Sequence, residues 1–158
     1  MSSNAELEQL SFTVSGFISK AVSQVYEAVA DPAQLSSYFT TGGAQGRLEA
    51  GTTVTWDFHD FPGAFPVKVL EAEFPHKIVL QWGAEHATAD DAMNTVTFEF
   101  TSVDDSTRTK VDITESAWQA NSADAQAAFG NCMGWTGMMA AMKAWLEYGI
   151  NLREGFYK

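Results

Sequence analysis

Apolar and polar positions along the chain alternate, shift to helical spacing, alternate again, and end in a long helical tract. Ser11 to Ser19 (SFTVSGFIS) alternates with Phe12 and Val14 on one face, which predicts a strand. Val22, Val25, Tyr26 and Val29 then recur at helical spacing, and Asp31-Pro32 stops that helix. Leu35, Tyr38 and Phe39 predict a second short helix or turn, closed by Thr41-Gly42-Gly43. The glycine-rich Gly42 to Gly46 precedes a strand instead of opening a helix, so it reads as a flexible loop and not as a phosphate cradle.

From Gly46 the pattern is a run of five strands, six if Gly46-Arg47-Leu48 also pairs. Thr52 to His59 alternates cleanly, and Phe61-Pro62-Gly63 reads as the following turn. Phe65 to Phe74 follows; Val67, Val69 and Glu71 share one parity while Leu70, Ala72 and Phe74 share the other, so a bulge is expected. Pro75-His76 separates it from the strand Lys77 to Trp82, and the polar stretch Gly83 to Ala92 reads as a loop. Met93 to Val103 and Thr107 to Glu115 form the last pair, with a turn at Asp104-Asp105-Ser106. Connections this short favour an antiparallel meander.

Ser122 to about Glu154 has no proline and reads as one helix with Ser122 as N-cap. Strands followed by a segregated helix define an α+β class. Trp135, Met138, Met139, Met142, Trp145 and Leu146 fall on one stripe of that helix. Such a stripe fits an ordinary core, but methionine adapts to irregular shapes, which also suits a wall that accepts an apolar ligand. Gly130, Gly134, Gly137, Ala141 and Ala144 cluster on another face, and Lys143 is the only charge between Ala125 and Leu146. A helix so uncharged is expected to be covered on more than one side, by the N-terminal helices or by a second copy in a homodimer.

Strand parity supplies the facing wall. Val54, Trp56 and Phe58 share a face, as do Ile78, Leu80 and Trp82; Val96, Phe98 and Phe100; and Val111, Ile113 and Glu115. Glu115 is an acid in phase with buried apolar residues. It is either desolvated beside a pocket or placed at the strand end, where it reaches water.

Composition narrows the picture. The 158 residues fit one domain, here residues 10–158 behind a polar lead of 1–9. Aromatics at 13% argue against disorder, and a single cysteine excludes an intrachain disulfide framework or a cysteine-based zinc cluster. The formal charge of −11 repels phosphate backbones and anionic lipid surfaces, so neither nucleic acid nor a membrane is an expected partner. It suits a bacterial protein kept in solution by its charge. Met1 to Gln9 is polar and acidic, unlike a secretory signal, and no stretch nears the ~20 apolar residues of a membrane span, so the cytoplasm is the expected location.

The catalytic inventory is thin. Asp57 and His59 face away from Trp56 and Phe58, and His59 reads as a surface histidine beside Asp60. His76 lies in a turn, and His86 lies in the polar loop with Glu85, Asp90 and Asp91, without tight metal-ligand spacing. No HExxH, P-loop or GxSxG occurs. Cys132 borders the apolar stripe with no basic neighbour in sequence and reads as a buried, inert thiol. No cofactor and no metal are expected.

Taken in order, these pieces resemble the SRPBCC, or START-like, superfamily, and within it the branch named after the activator of heat-shock protein 90 ATPase. The resemblance rests on the opening strand and the helix Ala21 to Val29 with its Asp31-Pro32 stop, then Tyr38-Phe39 where the family has Trp-Phe. It continues through Gly51, Trp56 and Phe58, Glu71 with Phe74-Pro75-His76-Lys77-Ile78-Val79, Trp82, Phe98 and Phe100, Thr109 to Thr114, and Gly134-Trp135, covering roughly Leu10 to Leu152. It implies a helix-grip fold: a seven-stranded antiparallel sheet wrapped around a long C-terminal helix, with an apolar cavity between them. Tyr38 would stand at the cavity mouth. The superfamily implies binding of apolar small molecules or lipids; some members are cyclases, aromatases or hydrolases, and the namesake branch stimulates a chaperone ATPase.

The leading expectation is a binder of an apolar small molecule or lipid through Trp56, Phe58, Val69, Trp82, Phe98, Ile113, Trp135, Met138, Met139 and Met142. The alternatives are a cyclase- or hydrolase-type enzyme using Glu115 as acid or base, and a co-chaperone-like interaction module.

Overall fold

The computed structural model of the chain describes residues 9–83 and 93–157. The elements run β1 (Gln9–Ile18), α1 (Val22–Ala30), α2 (Pro32–Tyr38), β2 (Gly43–Gln45), β3 (Thr53–Phe58), β4 (Phe61–Glu73), β5 (Lys77–Gly83), β6 (Met93–Val103), β7 (Arg108–Gln119) and α3 (Ser122–Tyr148). The strands form one seven-stranded sheet in the order β1-β7-β6-β5-β4-β3-β2. Every pairing is antiparallel. This is the expected α+β helix-grip arrangement: β2 to β7 form a meander, β1 closes on β7, and α3 lies across one face.

The inward parity holds from strand to strand. Leu80 faces Val96 and Val96 faces Glu115, while Ile78 faces Phe98 and Phe98 faces Ile113. All of these side chains are buried, so the alternating pattern becomes one continuous wall beneath α3. The expected bulge in β4 is present between Val69 and Glu71. Leu70 is left over and 46% exposed, while Val67 and Val69 before it point inward.

Several boundaries differ from the expectation. The additional short strand is Gly43–Gln45 and not Gly46 to Leu48, because Gly43 to Gln45 pairs with Asp57 to Thr55 of β3. Phe61-Pro62-Gly63 is no turn: it begins β4, and the reversal lies at His59-Asp60. Proline at the first residues of a strand loses no central ladder bond, which is why a turn-like composition fits there. Strand β7 runs past Glu115 to Gln119, since a bulge opposite Leu10 and Phe12 lets it continue, with Ala117 at φ 72°. The bulge turns Trp118 inward onto Ala127 and Ala128 of α3, where a small second core forms with Leu10 and Phe12.

Helix α3 begins one residue earlier than expected in its capping. Asn121, not Ser122, is the N-cap, and its side chain accepts the Asp124 N–H at 2.8 Å. It ends at Tyr148, about 40 Å from its start, because Gly149 adopts φ 68° and its N–H closes on Trp145 O at 2.9 Å. Residues up to Glu154 are therefore outside the helix.

Helix α3 is held by polar contacts as well as by its stripe. The Trp145 indole donates to Gln34 of α2 at 2.9 Å, and Lys143 donates to Phe17 O of β1 at 3.2 Å. Gly16 lets β1 and α3 approach closely: a Cβ there would meet Met139 Cγ at 2.8 Å. Tyr38 is at no cavity mouth. It is fully buried between the short helices, its hydroxyl donates to Ala28 O at 2.9 Å, and burial pushes its pKa up. Part of the small-residue face of α3 is covered within the chain, while an added Cβ at Gly130 or Gly134 would meet nothing within 4 Å among the described residues. Tyr157, from the chain after the helix, lies against Gly137. Among the described residues no helix is long and apolar enough to cross a membrane.

Candidate functional site

The expected site residues converge on the space between sheet and α3. Trp56, Val69, Phe98, Ile113, Trp135, Met138, Met139 and Met142 are buried, and Phe58 and Trp82 are half-buried in the same cluster. Trp135 is the centre. Its ring stacks on Phe39 at 5.7 Å, tilts against Trp82 at 5.3 Å, and meets Phe98 edge-on at 5.6 Å. Around it, Trp56 stands edge-on to Phe39 and Trp82 at 5.7 and 6.0 Å, and Phe58 contacts Phe39 and Phe65 at 5.1 and 6.0 Å. The result is an aromatic box whose rings touch one another. Met138 and Met142 fill the stripe beside it, whereas Met139 is spent over Gly16 of β1.

Glu115 closes the inner end of the box. It does not reach water: it is fully buried in mid-strand. Its Oε1 accepts the Trp135 indole N–H at 2.8 Å, and its Oε2 accepts the Trp82 indole N–H at 2.9 Å and an Asn94 amide N–H at 3.0 Å. The Asn131 amide donates to both oxygens at 3.2 Å. Among the described residues no lysine, arginine or histidine makes an ion pair with it. A buried carboxylate is tolerated only when its lone pairs are filled, and here neutral N–H donors fill them. The chemical consequence is orientation: one carboxylate fixes the planes of two indoles that pack against each other in the box.

Two polar atoms in this region stand out. Trp56 Nε1 and Thr40 Oγ1 are buried without a hydrogen-bond partner. An orphaned buried N–H costs about 1–3 kcal/mol, so a ligand acceptor or an ordered water at Trp56 would be favoured.

Asn94, Asn131, Phe39 and Phe65 escaped the sequence reading of the site. Asn94 is in phase with Val96 and Phe98, Phe65 with Val67 and Val69, and Asn131 lies one turn before Trp135, so periodicity alone could have found three of them. The other chemistry-bearing candidates stay apart. His59 is 66% exposed and sits 3.7 Å from Glu154, and His76 is exposed in its turn. Cys132 is half-buried rather than buried. His86, Glu85, Asp90 and Asp91 lie outside the described residues, and among the described residues no cluster could hold a metal ion.

A sheet gripping one long helix around an aromatic interior defines a helix-grip protein of the SRPBCC class. The profile of the Activator of Hsp90 ATPase homolog 1-like protein family matches residues 20–147, and the chain belongs to that family. Among solved structures, a Staphylococcus saprophyticus protein aligns with a TM-score of 0.75 at 22% identity, over 91% of this chain and 96% of its own. The Aha1 dimer from Colwellia psychrerythraea aligns at 0.71 and 18% identity, over 89% of this chain and 98% of its own. An Hsp90 activator from Plasmodium falciparum aligns at 0.68 and 24% identity, over 88% of this chain and 96% of its own. These likenesses are likenesses of fold. A search of curated proteins returns no match.

Proposed function

We propose that the protein binds an apolar, largely planar small molecule or lipid in the cytoplasm, between the sheet and α3. The observation that carries this reading is the aromatic box itself, seven rings in mutual contact, two of them bonded to one buried carboxylate: Phe39, Trp56, Phe58, Phe65, Trp82, Phe98 and Trp135. A core needing only to be filled gains nothing from a buried carboxylate, which fits a site that orients a guest. The rings touch, so a guest enters by parting them, and the methionines alongside adapt at little cost. A reaction through Glu115 fits less well, because both of its oxygens are already taken by side-chain N–H groups. The reading is tested by native mass spectrometry against a lipid and polyketide panel, with the neutral fluorophore N-phenyl-1-naphthylamine as a titratable probe. One-to-one adducts and saturable fluorescence are expected; a bare mass throughout and no saturation would overturn it.

A second reading, a co-chaperone-like interaction module, is favoured by a different observation. Phe129 and Met133 lie one turn apart on α3 and are 66% and 60% exposed. Exposed apolar neighbours on a helical stretch without charged side chains from Ala125 to Met142 suit a partner surface. The double change Phe129→Ser with Met133→Ser is expected to abolish co-elution with purified heat-shock protein 90 while leaving probe binding intact. Unaltered co-elution, or none by the parent protein, sinks this reading, and a fall in sedimentation coefficient of the variant would assign the face to a homodimer.

A further inference from the structure

After Gly149 the chain turns back and crosses the outside of the aromatic box. Among its described residues, Arg153 is buried and Tyr157 half-buried, while the others are exposed. The Arg153 guanidinium, 7% exposed, makes a two-pronged pair with Asp60 at 2.6 and 2.9 Å. It also lies over the Phe58 ring at 5.4 Å and over the Tyr157 ring at 4.7 Å. Tyr157 in turn sets its hydroxyl against Gly137, where a Cβ would stand 2.5 Å from it. The segment thus spans from the β3–β4 reversal to the middle of α3, over Phe58, whose inner side touches Phe39 and Phe65.

The rest of the segment is poorly held. Ile150, Leu152 and Phe156 are 52%, 44% and 63% exposed, and the local turn is closed by Asn151, which accepts the Arg153 and Glu154 N–H groups. An element with so few buried contacts opens at low cost. Opening also returns a buried ion pair to water, which refunds much of its desolvation penalty. Gly149, at φ 68°, is a natural pivot, since it already ends the helix in a conformation that other residues resist.

The geometry points to residues 149–157 acting as a hinged strap over the aromatic box, locked by Arg153–Asp60 and by Tyr157 on Gly137, whose opening admits and releases the guest. This rests on the binding reading above. A gate that closes equally over the empty and the filled box sets rates and not affinity, which separates it from a merely structural tail.

The test uses Gly137→Ala and Asp60→Asn, neither of which lines the box. Gly137→Ala favours the helix but displaces Tyr157, so it opens the strap without weakening the fold. Stopped-flow mixing with N-phenyl-1-naphthylamine is expected to give association and dissociation rates each about tenfold faster in both variants, with Kd moved less than about threefold. Acrylamide quenching of tryptophan fluorescence, which needs no bound guest, is expected to rise in both. Probe binding with unchanged rates and unchanged quenching would overturn the strap and leave the binding reading standing. Raised quenching without any probe binding would keep the strap as a cover and remove the binding reading. Neither binding nor a change in quenching would overturn both.

Discussion

Replacing Glu115 by Leu is expected to lower the unfolding free energy by about 3 kcal/mol or more, although the new side chain is apolar and suits a buried position. The loss comes from what the carboxylate leaves behind. The indole N–H groups of Trp82 and Trp135 and the amides of Asn94 and Asn131 all end on its two oxygens. Asn94 and Trp135 are themselves buried, so water cannot replace the lost acceptor without opening the core. Each buried donor stranded this way costs about 1–3 kcal/mol, against a total stability of about 5–15 kcal/mol for a domain. Glu115→Gln is expected to cost less but still more than about 1 kcal/mol, because its amide keeps one acceptor and turns an NH2 toward groups that also donate. Urea unfolding followed by tryptophan fluorescence measures both. A loss below about 1 kcal/mol for the leucine variant would mean that the donors find other acceptors. A cycle with Asn131→Leu checks the origin of the cost: the double variant should lose less than the sum of the two, since its removed partners no longer strand each other.

This hub explains which parts of the site the sequence could reveal. The phase of Glu115 with Val111 and Ile113 was visible, and so were the aromatic sets on β3, β5 and β6 that face it, because alternation survives in strands with one buried face. What alternation could not supply was the fate of Glu115. Ending β7 at that residue left a route to water, and the strand continues only because a bulge places Ala117 at a positive φ, which its identity does not announce. Its donors come from β5, β6 and α3, so the hub exists only once sheet and helix have met. The β3–β4 reversal misled for a local reason. Phe61-Pro62-Gly63 has turn composition, yet the pairing of Phe58 with Phe61 moves the turn to the two residues before it. The closing segment was misread because a proline-free tract continues the helical pattern past Gly149, and only its left-handed conformation stops it.

Trp135→Ala is expected to be the most damaging single truncation in the molecule, at about 3–5 kcal/mol. Three separate losses meet at this side chain. The first is volume: the ring is 2% exposed, so its removal leaves a cavity that neighbours held by their own contacts cannot fill. The second is ring contact with Phe39, Trp82 and Phe98, worth about 0.5–1.5 kcal/mol each beyond area. The third is the indole N–H that Oε1 of Glu115 accepts at 2.8 Å. Trp135→Phe separates these terms, since it retains much of the volume and loses the N–H. It is expected to cost about 1–2 kcal/mol and to keep the near-neighbour ring geometry. The two variants also divide packing from recognition. If the box orients a planar guest, the phenylalanine variant should bind N-phenyl-1-naphthylamine within about threefold of the parent, because the stacking surface survives. The alanine variant should bind it with a faster dissociation, since the guest loses the wall that faces Trp82. Equal unfolding free energies for the alanine variant and the parent would show that α3 grips the sheet without Trp135, and would remove Trp135 from the centre of the site.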